Sequence, residues 1–105
     1  MSERIALVLG LGESGLAMAR WLARDGSAVR VWDSRAEPPQ AAALREHVPG
    51  AEIVSGALEP SALAGVDRVL KSPGLAPNDA RIASVLDAAR ATGIAVQGEL
   101  DLFAA

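Results

Sequence analysis

The sequence predicts an α/β domain in three layers, a five-stranded, mainly parallel sheet with helices on both faces, and three observations predict it. Five short apolar runs, at Ile5–Leu9, 28–32, Glu52–Ser55, 66–70 and 94–96, alternate with segments of helix-forming composition, and that alternation belongs to parallel sheets with crossover helices. The first run, IALVL, is apolar without interruption, as in a strand buried on both faces. Alanine supplies 22 of the 105 residues, and such small side chains let helices lie close on a sheet. A chain of this length, half of it hydrophobic, builds one core and leaves little room for a second domain.

Ile5–Leu9 ends in Gly10 and reads as the first strand. The segment SGLAMARWLARD, 14–25, is rich in helix formers, and Gly26 follows where a helix C-cap glycine is expected. AVRVW, 28–32, is the second strand, closed by Asp33 and a polar loop whose Pro38 and Pro39 forbid regular pairing. Residues 40–48 predict a helix ended near Pro49 and Gly50, and Glu52–Ser55 a short strand closed by Gly56. Residues 60–64 can form one helical turn, and 66–70 give the fourth strand, running into Lys71, Ser72, Pro73 and Gly74. Asn78 is placed to cap a helix over 79–92, where Ile82, Val85, Leu86 and Ala89 share one face. Residues 94–96 make the fifth strand, and the tail GELDLFAA opens an element that would continue beyond the chain.

Right-handed crossovers gather the loops that follow parallel strands at one edge of the sheet, and ligands bind there. Three loops meet this condition: 10–15, 33–35 and 72–74. In the first, GLGESG, Gly10, Gly12 and Gly15 have the GxGxxG spacing between a strand and a helix, the context that gives this motif meaning and marks a Rossmann-like domain. Bare backbone and a helix N-terminus there suit phosphate oxygens; Ser14 adds a hydroxyl donor, and Glu13 is expected to turn its carboxylate away while its amide faces the ligand. The same glycines would also serve close packing of helix on strand. Asp33 stands at the end of the second strand, where dinucleotide-binding folds place an acid on a ribose hydroxyl, but an ionised carboxylate could equally accept the N3–H of uracil, with the Ser34 and Arg35 amides on its carbonyls. Arg35 can lie on a base, meet a phosphate or stay a solvated charge. Ser72-Pro73-Gly74 is a rigid turn that carries a hydroxyl, or a turn alone.

Other chemistry is disfavoured. Ten basic and 13 acidic residues give a net charge of −3, and the nine arginines and single lysine form no run, so nucleic acid is not an expected partner. With no cysteine there is no disulfide, thiolate nucleophile or thiolate-held metal. The single histidine, His47, has no metal-site neighbours in sequence, LKS at 70–72 is not a P-loop, and no catalytic set falls on the ligand edge. The N-terminal apolar run is broken by Gly10 and Gly12 before it could serve as a signal or span a bilayer, which makes the cytoplasm the expected compartment and a membrane no partner.

Together, LVLGLGESGLA, the acid loop VWDSR with the prolines beyond it, the turn KSPGL and the terminal GELDLF resemble, in this order and spacing, the N-terminal domain of the Mur ligases of peptidoglycan synthesis, in the form carried by the glutamate-adding members. The resemblance spans nearly the whole chain. It implies that residues 1–105 are the N-terminal domain, which binds the UDP part of UDP-N-acetylmuramoyl-L-alanine. A central ATPase domain and a C-terminal amino-acid domain lie outside this chain. It implies ATP and Mg2+ as cofactors of the intact enzyme: ATP phosphorylates the L-alanyl carboxylate, and the amine of D-glutamate attacks the acyl phosphate to form an amide. None of those reacting groups falls on this chain, for which no catalytic residue and no metal ligand are expected. Carried over by position, Glu13 and Ser14, beside Gly12, hold the pyrophosphate; Asp33, Ser34 and Arg35 surround the uracil; Ser72, Pro73 and Gly74 lie beside the ribose. Lys71 departs from the family, which has a small or apolar residue there, so either this strand end is exposed or the lysine adds a phosphate contact. A monomer is expected. An NAD-binding dehydrogenase domain and a ligand-sensing module without chemistry are the competing readings.

Overall fold

The computed structural model describes residues 4–76 and 78–98; most of the tail GELDLFAA lies outside the described residues. Five strands, β1 (Ile5–Leu9), β2 (Ala28–Asp33), β3 (Glu52–Ser55), β4 (Val66–Lys71) and β5 (Ala95–Gly98), form one sheet in the order β3-β2-β1-β4-β5. Every pairing is parallel, so the sheet is the Rossmann-like α/β arrangement that the sequence predicts. The helices are α1 (Glu13–Arg24), α2 (Ala41–His47) and α3 (Ala83–Ala91), with a 3-10 turn at Pro60–Leu63.

Alternate residues of β1 explain the three layers. Ala6 and Val8 face a cluster with Met18, Ala19 and Leu22 of α1 and Leu44 of α2. Leu7 and Leu9 face the opposite cluster, with Val85, Leu86 and Ala89 of α3. All four β1 side chains are fully buried, which is why the strand reads as an unbroken apolar run. On β2, Arg30 ties the β3-to-β4 crossover to the sheet by donating from Nη1 to the carbonyls of Ala62 and Ala64 and from Nε to Glu52.

Most boundaries shift by one or two residues from expectation, and two of the shifts have a clear local cause. The third helix begins at Ala83 with Ile82 as its N-cap residue, four positions after the start that Asn78 would set. The reason is local competition: the Asp79 carboxylate accepts the Arg81 amide at 2.9 Å, and the Asp79 carbonyl takes the amides of Ile82 and Ala83. This segment closes as a turn, as short polar side chains favour. The face Ile82, Val85, Leu86, Ala89 is nevertheless buried as the spacing predicts. The last strand starts at Ala95 because the Ile94 amide is donated back to the Ala89 carbonyl.

Candidate ligand-binding site

Chain direction reverses at the centre of the sheet. After β1 the chain moves through β2 to β3, then returns to place β4 on the other side of β1, and the loops leaving β1 and β4 part toward opposite faces, as at the switch point where open α/β sheets take ligands. Two backbone bonds fix the loops to each other: the Gly10 amide donates to the Trp32 carbonyl at 2.7 Å, and the Ser72 amide to the Leu9 carbonyl at 3.0 Å.

A cavity of about 220 Å³ opens between them. The first loop contributes Gly10, Leu11 and Gly12; the end of β2 contributes Trp32, Asp33, Ser34 and Arg35; the turn after β4 contributes Ser72, Gly74 and Leu75; and Arg81 closes the far side. Of the residues singled out in the sequence, Gly12, Asp33, Ser34, Arg35, Ser72 and Gly74 meet at this cavity. Glu13, Ser14 and Pro73 adjoin it without lining it, and Glu13 and Pro73 are exposed.

The glycines differ in what they require. A Cβ on Gly15 would stand 1.9 Å from the Gly10 carbonyl oxygen, so α1 lies on the loop at a distance that admits no side chain. Gly12 has φ −101, ordinary for any residue, and a Cβ there would meet nothing within 4 Å. Among the described residues nothing requires glycine at position 12, and the bare backbone lines the cavity. Beside it α1 begins without a side-chain cap; the first turn of a helix leaves amides without intrahelical partners and carries partial positive charge.

Asp33 organises the second loop. Its side chain is 4% exposed. Oδ2 accepts the Leu11 amide at 2.9 Å and Arg35 Nη2 at 2.8 Å; Oδ1 accepts the Arg35 amide and Arg35 Nε, both at 2.9 Å. The carboxylate therefore ties the glycine loop to the β2 loop. The Arg35 guanidinium, followed by the Arg35 and Leu11 amides, holds its pKa well below the usual carboxylate range against the opposing effect of burial. Its four acceptor positions are filled, two of them by a guanidinium on a half-exposed side chain.

The same figure recurs at Arg81, which the sequence reading missed. Asp79 accepts its amide, Nε and Nη2 at 2.9, 3.0 and 2.7 Å, and the Arg81 hydrogen bonds lower the Asp79 pKa to about 2. Arg81 Nη1 then reaches Ser34 Oγ at 3.3 Å. The repeated Asp-x-Arg pattern, Asp33-Ser34-Arg35 and Asp79-Ala80-Arg81, was the available signal.

Lys71, which departs from the family pattern, is half-buried and has partners within the chain. Its Nζ donates to the carbonyls of Ser72 and Leu75 at 3.2 and 2.5 Å and so braces the Ser72-Pro73-Gly74 turn from within the chain. Among the described residues no group of three His, Asp or Glu side chains could hold a metal ion, and no helix is long and apolar enough to cross a membrane.

Comparison with known proteins gives a consistent result. The family model for the Mur ligase MurD-like N-terminal domain matches residues 4–98. UDP-N-acetylmuramoylalanine--D-glutamate ligase of Ralstonia nicotianae is 54% identical over 104 residues, 99% of this chain and 21% of that protein. The ligase of the same name from Albidiferax ferrireducens is 50% identical over 105 residues, 98% of this chain and 20% of its own, and that from Burkholderia multivorans 52% identical over 101 residues, 95% of this chain and 20% of its own. This chain thus spans about a fifth of the length of the curated relatives it matches.

Proposed function

We propose, from the premise that this chain belongs to the Mur ligases as a MurD-like N-terminal domain, that it holds the UDP end of UDP-N-acetylmuramoyl-L-alanine for an ATP-dependent ligase that adds D-glutamate in cytoplasmic peptidoglycan synthesis. The observation that carries this reading is the convergence of three loops on one cavity whose wall includes a glycine, Gly12, that the fold itself does not require. At about 220 Å³ the cavity is smaller than the roughly 300–1,000 Å³ typical of sites for a whole drug-sized ligand, which suits one end of a long precursor.

Each part of the nucleotide has a counterpart. The base enters between Gly12 and Arg35, and its N3–H takes the place of the Arg35 guanidinium on Asp33. The exchange removes a guanidinium from a buried carboxylate, and its cost is offset by the new N3–H bond, by the Leu11 and Arg35 amides that stay on the carboxylate, and by the released guanidinium, which can lie on the base. The ribose sits beside Ser72, Pro73 and Gly74. The diphosphate leaves the cavity toward the start of α1, where the Glu13 and Ser14 amides and the Ser14 hydroxyl meet it. The chain binds and orients; it moves no proton and forms no bond. ATP and Mg2+ belong to the intact enzyme. The domain works as a monomer, without nucleic acid or membrane.

An NMR titration of the labelled chain with UDP-N-acetylmuramoyl-L-alanine, UDP and NAD tests this, following the amides of residues 10–15, 33–35, 72 and 74. Both uridine ligands are expected to shift all three loops, and NAD to leave them in place. Shifts with NAD and none with UDP would identify a dinucleotide domain instead.

A further inference from the structure

We infer that Arg81, acting with Ser34, is a specificity-determining residue that reads the carbonyl edge of the base and rejects bases that carry an amino group there. The inference rests on the uridine reading above and adds a residue from an element outside the three predicted loops. Arg81 lies in the turn before α3, and its guanidinium is fixed from behind: Nε and Nη2 are both held by Asp79. That leaves Nη1 directed at Ser34 Oγ, 3.3 Å away, on the cavity wall.

The donor and acceptor inventory of this wall is one-sided. A guanidinium only donates. Ser34 Oγ accepts from Arg81, so its own hydroxyl proton is left to donate outward. On the floor Asp33 only accepts once Arg35 has moved aside. The site therefore presents an acceptor with donors on one side of it. Uracil presents the complement, an N3–H donor between two carbonyl acceptors. Cytosine reverses it, with an amino donor at position 4 and an acceptor at N3, and would set donor against donor at Arg81 and acceptor against acceptor at Asp33. Asp33 is buried, so a base that brings an acceptor to it leaves both groups unpaired away from water, while the exposed Arg81 and Ser34 add discrimination to the extent that the bound base itself shields them from solvent.

Arg81, Ser34 and Trp32 also wall a neighbouring cavity of about 360 Å³, so truncating Arg81 to alanine removes the partition as well as the donors. A lysine at 81 keeps the charge and much of the bulk without the fork that Asp79 grips. The test is the affinity of the chain for UDP and for CDP, measured by the same titration, in the unmutated chain, Arg81→Ala, Arg81→Lys and Ser34→Ala, with thermal midpoints as a check on folding. The unmutated chain is expected to prefer UDP by about tenfold or more, and both Arg81 variants to fall to about threefold or less, mainly through loss of UDP affinity. Ser34→Ala is expected to lose part of the preference. An Arg81→Lys protein that keeps the full preference, or Arg81 variants that weaken UDP and CDP equally, would overturn the inference and leave the uridine reading standing. Failure of the unmutated chain to bind UDP would remove that reading and this inference with it.

Discussion

Gly12 and Gly15 stand three positions apart and carry opposite constraints. At Gly15 an added methyl would collide with the Gly10 carbonyl, so Gly15→Ala must push α1 off the loop, at a cost of about 1–3 kcal/mol for an overpacked contact. At Gly12 the fold has room, so Gly12→Ala is expected to leave stability within about 0.5–1 kcal/mol of the parent, even slightly raised, while UDP binding falls at least about tenfold. Chemical denaturation together with the UDP titration checks both; a strongly destabilised Gly12→Ala protein would contradict the reading of that residue. Asp33 has a consequence for acid stability. Its folded pKa lies below the unfolded value of about 3.9, so as pH falls through that window the unfolded chain binds more protons and stability drops, with no contribution to pH dependence above about pH 5. In Asp33→Asn the acid limb of the thermal midpoint against pH should become shallower, with Asp79 supplying part of what remains. The sequence already singled out Gly12, Asp33, Ser34 and Arg35. It did not reveal that Asp33 is already occupied by Arg35, because spacing places a side chain on a loop without counting its partners, and Arg81 escaped because it reaches the cavity across 47 positions of sequence to Ser34.

At the scale of elements, apolar periodicity was enough to place every strand and helix, and the errors fall where local polar bonds compete with the regular ladder. The start of α3 is the clearest case. Asn78 has the chemistry of an N-cap, but Asp79 takes the Arg81 amide first, and no pattern of hydrophobicity records that choice. Lys71 shows the same limit. Its position at the end of β4 was legible; its hydrogen bonds to two carbonyls of the following turn were not. Lys71→Met should therefore cost about 1–2 kcal/mol and loosen the 72–74 turn, which weakens UDP while leaving the salt dependence of binding as in the parent. Loss of that salt dependence would place the ammonium on phosphate and contradict the bracing role.

At the scale of the molecule, the cavity exists because β1 lies between two strands that reach it by different routes. β2 arrives through α1, whereas β4 arrives only after β3 and the crossover that Arg30 secures. Alternation of strands and helices made the parallel sheet and its ligand edge legible, but not which strand flanks β1 on its second side, since that is settled by packing on both faces at once. Ile5 pairs with Val66, more than half the chain away, and non-local pairing of this kind forms slowly. During synthesis, then, a nascent chain that has reached β3 has the glycine loop and the acid loop but not the turn that completes their wall. Its Leu9 carbonyl still waits for the Ser72 amide. Under the proposed function, nucleotide capture waits until that turn has left the ribosome and docked, so the first bound nucleotide would report that β4 has joined β1, before β5 completes the sheet.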